Sequence, residues 1–231
     1  MNTYSIEVAL SGLLEPYIHY FSNNTRKFIA AIGEHFLLSG ISLLIASVLG
    51  ILLGILCAYN KIVNRVSTGV FSMARIVPSF AILFLCLPLM GTGVKPSVTA
   101  LGFLALPPIL INTAVALTSI PAATLESARA MGMDSLQIFF RIKAPLALPL
   151  FMAGFKTAAV EVIASATLAA YIGGGGLGVI IFTGLGLMRT ELLLIGGASV
   201  ALVSLLVDFL LAILEKRVYV TLFGDAVRRR L

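Results

Sequence analysis

The stretch FLLSGISLLIASVLGILLGILCAY, residues 36–59, decides the fold, because its 24 residues include no charged side chain. A helix that crosses the hydrocarbon core of a bilayer needs about 20 consecutive apolar residues. Four further segments meet this requirement, at about residues 66–90, 97–120, 145–172 and 191–214. The sequence therefore predicts an all-α membrane protein with five spans.

The composition of the chain also indicates a membrane protein. Hydrophobic residues make up 59% of the 231 residues and charged residues 11%, and the mean hydropathy is +1.07. A soluble domain carries about 25% charged residues. We therefore expect one membrane domain at residues 32–214. An extracytoplasmic, interfacial segment at 1–31 precedes it, and a basic cytoplasmic tail at 215–231 follows it.

The positions of lysine and arginine predict the orientation. Five spans place the termini on opposite sides, and the side richer in these residues faces the cytoplasm. The C-terminus is thus predicted to be cytoplasmic and the N-terminus outside, so the net charge of +6 reflects topology and lipid contact rather than nucleic acid. The richer side carries Lys61, Arg65, Arg129, Arg141, Lys143, Lys216, Arg217, Arg228, Arg229 and Arg230, and the other carries Arg26, Lys27, Lys95 and Arg189.

The glycine-rich segment GGGGLGVIIFTGLGL, residues 173–187, lies between the last two spans. A sixth span here would leave five Lys and Arg inside and nine outside, so a re-entrant or interfacial excursion is predicted over 173–188, with a short extra span as the alternative. The segment lacks the lysine of a phosphate-binding loop, so we predict no nucleotide or other cofactor on this chain. The candidate gate residues are Gly173, Gly174, Gly175 and Gly176.

The segment PAATLESARAMGMDSLQIFFRIKAPLALP, residues 121–149, is the one long polar connection on the predicted cytoplasmic side. Apolar residues at helical spacing precede Gly132, which suits a helix C-terminus. Asp134 or Ser135 can cap a second helix. The segment is predicted to form two short helices at an angle, and Glu126 is expected near the first helix start, where it suits the helix dipole.

This connection resembles the EAA signature of ABC importer permeases. The matching residues are Glu126-Ser127-Ala128, then Gly132, then Ile142-Lys143-Ala144-Pro145. Ser127 replaces the usual first alanine, and Ala144 stands where leucine is usual. The segments RIVPSFAIL, ATLAAYIGGGGLG and GLGLMRTELLLIGG also look like those of osmoprotectant permeases, which import glycine betaine, carnitine or choline.

The resemblance implies a type I permease core of a bacterial cell membrane importer. Such a core pairs with a second copy or a sister permease, and a cytoplasmic ABC ATPase dimer that binds ATP-Mg drives it. An extracytoplasmic solute-binding protein delivers the solute, so this chain is not expected to be an enzyme. The coupling loop at 121–144 would contact the ATPase through Glu126, Ser127, Ala128, Gly132, Ile142 and Pro145.

Ionisable side chains within the predicted spans are candidates for the translocation pathway, because such groups in a bilayer usually face a cavity or a partner. Asp208 is predicted to pair with Arg75 or Lys156. Glu161 is a candidate for solute contact. The full set is Arg75, Pro78, Lys156, Glu161 and Asp208.

Two other classes of protein are alternatives that the sequence favours less. A secondary transporter or channel needs internal repeats or a filter motif, and neither is present. An intramembrane enzyme needs a nucleophile with a base or a metal site, but the histidines, His19 and His35, fall at the outer surface. A methionine or other small amine cargo is the alternative within the fold. The aromatic residues are dispersed along the chain, so no strong solute site is expected here.

Overall fold

The computed structural model describes the backbone of residues 3–228 and the side chains of residues 15–224. The regular secondary structure of this part of the chain consists of nine α-helices, one π-helical turn at Phe139–Lys143 and one 3-10 turn at Ala170–Ile172. The α-helices are α1 Thr3–Tyr59, α2 Lys61–Ala74, α3 Ser79–Met90, α4 Val94–Thr118, α5 Ala122–Ala130, α6 Ser135–Ile138, α7 Ala144–Ala169, α8 Gly178–Gly186 and α9 Thr190–Arg228.

Helix α7 defines the two ends of the bundle. At its start, Lys143 Nζ lies 4.7 Å from the centre of the Tyr59 ring. After its last turn, the Ile172 carbonyl accepts a hydrogen bond of 2.7 Å from the Gly93 amide. We call the first the knob end and the second the glycine end. The α2–α3 pair therefore runs from one end to the other, which makes five crossings in the described chain.

The second predicted span, 66–90, is not one continuous helix, and the helix breaks before Pro78, one of its two prolines. Helices α2 and α3 meet at 97°, and residues 75–78 form the break. Pro78 lacks an amide donor and disfavours the α conformation of the residue before it, so the helix stops and restarts there. Pro88 lies inside α3 without ending it. The first, third, fourth and fifth predicted spans lie within or close to α1, α4, α7 and α9.

The predicted boundaries at 31/32 and 214/215 do not coincide with helix ends. Helix α1 contains residue 31 and α9 continues to Arg228, because neither boundary carries a breaking proline or glycine. Helix α8 has nine residues and a length of about 14 Å, so the alternative of an extra span at 173–188 is wrong. Residues 229–231, with two arginines of the predicted basic tail, lie outside the described residues.

Helices α1, α4 and α7 form the packed centre. Their shared core includes Leu38, Leu101, Ile109 and Val162, all nearly inaccessible to solvent. Close approach depends on small residues: a Cβ added at Gly154 of α7 would lie 2.5 Å from Asn112 Cβ of α4. Membrane helices pack through such contacts because burial of apolar surface gives no advantage over lipid.

Candidate functional site

The first half of the 121–144 connection is a short helix that ends at a left-handed glycine. Gly132 has φ +78°, and its amide donates to the Arg129 carbonyl at 2.9 Å. The Met133 amide donates to the Ala128 carbonyl at 3.2 Å. This pair of bonds is the Schellman ending of a helix. The predicted stop at Gly132 is therefore found in the structure.

The second half differs from the predicted short helix, because it continues into the membrane. Asp134 and Gln137 form a capping box at the start of α6. The chain then widens into the π-helical turn Phe139–Lys143 and passes directly into α7. Pro145 cannot donate an amide hydrogen to the preceding turn, which favours a local departure from the α-helical pattern. We call residues 122–143 the knob.

The knob combines two buried anchors with an exposed surface. Ala128 is 0% and Ile138 7% exposed, so both pack inward. Met131, Leu136 and Phe140 are 72%, 70% and 66% exposed. Glu126 and Ser127 are also exposed, while Ile142 and Pro145 are half-buried. The motif residues therefore lie partly on the outer surface and partly at the root of the knob.

Glu126 does not lie where the helix-dipole interpretation placed it. Helix α5 begins at Ala122 with no acidic residue in its first turn, and Glu126 follows in the second turn. The dipole interpretation was therefore wrong, because the field of a helix terminus falls off within the first turn. Glu126 remains available at the surface of the knob.

At the glycine end, the four glycines 173–176 form a tight loop held by α1. The Gly176 amide donates to Glu34 Oε2 at 3.0 Å. The neighbouring His35 is fully buried, and its Nε2 lies 3.0 Å from the Ile163 carbonyl of α7. Sequence reasoning missed both residues, because 142 positions separate Glu34 from Gly176. It treated them only as the start of a span.

The same loop leaves almost no room for side chains. Gly173, Gly175 and Gly176 have φ values of +84°, +80° and +81°. A Cβ added at Gly174 would lie 2.5 Å from Ser97 Oγ, and one at Gly175 would lie 2.7 Å from Glu34 Oε2. The loop is therefore specified both by its backbone conformation and by close contact.

The described part of the structure contains an ion pair of Lys156 with Glu215 and neither of the predicted pairs of Asp208. Lys156 Nζ lies 3.2 Å from Glu215 Oε2, which joins α7 to α9. Among the side chains of residues 15–224, the other salt bridge joins Arg189 to Glu191. The predicted pairing of Asp208 with Arg75 or Lys156 was therefore wrong. The carboxylate of Glu215, which was assigned to the tail, reaches Lys156 because α9 continues unbroken.

Arg75 and Glu161 lie together beside the break of the second span. They line one narrow cavity with residues of α2, α3, α4 and α7, and this cavity has no room for a water molecule in the structure. Arg75 directly follows the last residue of α2 and Pro78 directly precedes the first residue of α3, so the break places a cation opposite the carboxylate of α7. Asp208 is half-buried on α9 and does not line this cavity.

Four aromatic residues that are dispersed along the chain lie together in the structure. Phe80, Phe84, Tyr171 and Phe182 come from three separate segments and converge near the glycine end. No sequence spacing signals this arrangement, because it depends on how α3, α7 and α8 pack.

Comparison with known proteins assigns the family. The profile of the binding-protein-dependent transport system inner membrane component family matches residues 50–220. The carnitine transport permease protein OpuCB of Listeria monocytogenes is 36% identical over 88% of this chain and 94% of its own length. The glycine betaine/carnitine/choline transport system permease protein OpuCB of Bacillus subtilis (strain 168) is 33% identical over 86% of this chain and 92% of its own length.

A solved structure shares the fold. The chain is similar to one in the inward-facing MetNI methionine ABC transporter, with a TM-score of 0.70 and 21% identity over 83% of this chain and 95% of that one. The five crossings are thus those of a type I ABC importer permease. The chain belongs to the family of binding-protein-dependent transport system inner membrane components, and it is a multi-pass transport permease.

Proposed function

We propose that this chain is the membrane-spanning subunit of an ATP-driven importer for quaternary ammonium osmoprotectants such as glycine betaine, choline and carnitine. The cargo is supported by the relatives, which match nearly the whole chain and carry these solutes in their names. The observation that carries the ATP-driven mechanism is the knob, an anchored helical projection with an exposed apolar surface. ATP-Mg would bind to a separate ATPase dimer.

The surface of the knob suits a groove on a partner protein. Met131, Leu136 and Phe140 expose most of their apolar side chains on an otherwise polar connection. An apolar patch with polar residues around it marks an interaction site. Glu126 and Ser127 supply exposed polar groups beside it. The ATPase would therefore bind the apolar residues centrally and the polar residues at the rim.

The root of the knob would transmit movement to the spans. Phe139 packs on Ala116 and Leu117 of α4 and on Ala147 of α7. Lys143 lies over the Tyr59 ring at the end of α1. A rigid displacement of the knob must therefore move the ends of three spans together. Coupling by displacement of a rigid element is a common switching mechanism.

The pathway is proposed to pass the break of the second span. Glycine betaine and carnitine carry one cation and one carboxylate, and the cavity at the break offers one carboxylate, Glu161, and one cation, Arg75. Pro78 sets the break that admits Arg75 to this position. We assign Lys156 a role in helix packing, and we assign Asp208 a role in contact with the second permease. Movement of the loop Gly173–Gly176 would open the outer end.

The proposed orientation places the knob in the cytoplasm and the glycine end outside. Most of the lysine and arginine residues outside the spans lie on the knob side, as the positive-inside rule requires. The N-terminus would then be extracytoplasmic and the C-terminus cytoplasmic. The solute-binding protein would contact the glycine end. A second permease, identical or related, would complete the pathway between the two chains.

A matched pair of substitutions tests the knob. Met131→Glu adds a charge to the knob, whereas Met188→Glu adds the same charge to a methionine that is 89% exposed near the glycine end. The tagged chain is purified in mild detergent and the ATPase retained with it is quantified. We expect Met131→Glu to lose the ATPase and Met188→Glu to retain it. Equal retention by both variants would contradict the proposed docking.

A second experiment tests the reaction class and the cargo. The complete importer is reconstituted in liposomes, and uptake of choline, glycine betaine, carnitine and methionine is measured with and without ATP. We expect ATP-dependent uptake of the quaternary ammonium solutes. Flux through this chain alone without ATP would instead indicate a channel or secondary transporter. ATP-dependent uptake of methionine alone would indicate the alternative cargo.

A further inference from the structure

Four aromatic side chains form a cluster near the glycine end. Tyr171 is its centre, with ring centroids 5.7 Å from Phe80, 5.8 Å from Phe84 and 5.4 Å from Phe182. Phe80 and Phe84 lie 4.6 Å apart on successive turns of α3. The cluster thus joins the outer half of the broken span, the last turn after α7, and α8.

The cluster is not part of the buried core. Tyr171 is 58% and Phe84 39% exposed, and Phe80 and Phe182 are half-buried. Among the described side chains, the cation–π contact is that of Lys143 with Tyr59 at the opposite end of α7. No described cation of this chain therefore covers these rings. An open aromatic surface remains beside the loop that is proposed to act as the outer gate.

The chemistry of such a surface favours one class of ligand. The face of an aromatic ring attracts a cation that lies within about 6 Å of its centre, and quaternary ammonium groups are recognised in this way. A quaternary ammonium group cannot donate hydrogen bonds, so aromatic faces suit it better than carbonyl groups do. Tyr171, which contacts all three other rings, is the residue around which such a site would form.

The cluster and the charged cavity at the break of the second span lie on different sides of α3. Ile82 lines that cavity together with Glu161, whereas Phe80 and Phe84 are each two residues away from Ile82 and therefore project from another face of the helix. Glu161 lies ten residues before Tyr171 on the α7 segment, which corresponds to about 15 Å along a helix. The aromatic cluster is therefore a site distinct from that cavity.

We propose that the aromatic cluster of Phe80, Phe84, Tyr171 and Phe182 is a binding site for the quaternary ammonium group of the solute during its passage through the permease. This inference rests on the proposed function, because it deepens the assignment of the cargo. The sequence led us to expect no strong solute site on this chain, and the cluster is a candidate for a weaker one. The headgroup of phosphatidylcholine carries the same chemical group, and the experiment separates the two sources.

The absence of tryptophan from the sequence makes a direct test possible. Tyr171→Trp introduces one tryptophan, whose ring is the strongest partner for a cation. The full chain is placed in nanodiscs of phosphatidylethanolamine and phosphatidylglycerol, and its fluorescence is titrated with choline and with 3,3-dimethyl-1-butanol, the uncharged isostere. The control is Phe209→Trp at an aromatic residue of α9 that is 63% exposed.

We expect choline to change the emission of Tyr171→Trp saturably and to bind about fivefold more tightly than the isostere, which corresponds to a cation–π contribution of about 1 kcal/mol. Phe209→Trp should give no saturable change. Equal binding of choline and isostere would overturn the proposal, since apolar packing alone would then explain the site. A response to added phosphatidylcholine but not to choline would also overturn it.

Transport by the reconstituted importer separates this inference from the function on which it rests. We expect Tyr171→Leu to lower choline uptake about fivefold and Tyr171→Phe, which keeps the ring, to retain most of it. If the native importer takes up no quaternary ammonium solute, the proposed function itself is wrong. If the native importer takes up choline, but Tyr171→Leu is unimpaired and Tyr171→Trp does not respond, only the aromatic site is wrong.

Discussion

The two ends of the bundle both use glycine in the left-handed conformation, but for different reasons. At the glycine end, a Cβ added at Gly175 would lie 2.7 Å from the Glu34 carboxylate. At the knob end, a Cβ added at Gly132 would have no neighbour within 4 Å. The first glycine is required by conformation, and a side chain there would also displace the Glu34 carboxylate. The second is required by conformation alone, and the surface around it stays open.

The two ends also differ in whether their contacts lie within the chain. The glycine loop has its partners within the chain, because Glu34 accepts from Gly176 and Gly93 donates to Ile172. The knob exposes Met131 and Phe140, which have no equivalent cover in the described chain. A loop with its partners within the chain fits the proposed gate, and an uncovered apolar surface fits the proposed docking surface. Substitution of glycine by alanine at a crowded and at an open position can test this difference between the two ends.

The largest effect is expected where the glycine end is most crowded. A Cβ added at Gly178 would lie 2.0 Å from the Thr167 carbonyl oxygen, so Gly178→Ala should destabilise the chain by about 3 kcal/mol. The free energy of unfolding is measured in mixed detergent micelles. Gly186→Ala in the same helix is the control, because no atom lies within 4 Å of its added Cβ. Similar stability of the two variants would contradict the close packing of α7 and α8.

The next effect concerns the bond between α1 and the glycine loop. Glu34→Ala removes the acceptor of the Gly176 amide. We expect the free energy of unfolding to fall by about 1.5 kcal/mol, the lower end of the range for a hydrogen bond to a charged group. Glu34→Gln keeps an acceptor oxygen and should lose less. Glu15→Ala, at an exposed acid of the same helix, is the control. Equal stability of Glu34→Ala and Glu15→Ala would show that the contact does not hold the loop.

The sequence predicted the features that depend on nearby residues. The spans follow from uninterrupted apolar runs, and the end of α5 follows from Gly132 and Asp134, which act within a few residues. The sequence marked Pro78 and Pro88 as interruptions of the second span but did not show which of them breaks the helix, because Pro88, Pro107 and Pro108 lie inside helices. Tertiary packing decides which proline breaks a span.

The features that the sequence could not predict join distant segments. Glu34 meets Gly176 across 142 residues, and the aromatic cluster combines three segments. The dipole role of Glu126 was wrong because the start of α5 was placed too late. The pairing of Asp208 was wrong because α9 continues to Glu215 and brings that carboxylate to Lys156. Each error concerns either the residue at which a helix begins or ends, or the side chain that contacts it from another helix.

A smaller effect is expected at the open end. Gly132→Ala forces an L-residue into a left-handed conformation without a clash. We therefore expect the native conformation of the knob to be destabilised by about 1 kcal/mol. Gly132→Asn should cost less, because asparagine tolerates this conformation. The measurement is ATP-dependent uptake at matched expression, with Gly69→Ala as the control at a glycine that also has no neighbour within 4 Å. A ranking in which Asn is worse than Ala would contradict the conformational explanation.

The smallest effect is expected at the Lys156–Glu215 pair, which belongs to neither end. The two side chains are 29% and 30% exposed, so screening limits their interaction to about 0.5 kcal/mol. A double-mutant cycle of Lys156→Gln, Glu215→Gln and the double variant isolates this energy in mixed micelles. A coupling of about 2 kcal/mol or more would show that lipid or a second permease removes water from the pair. The pair would then help to fix α9 against α7, and the difference between the two ends would not be the main determinant of stability.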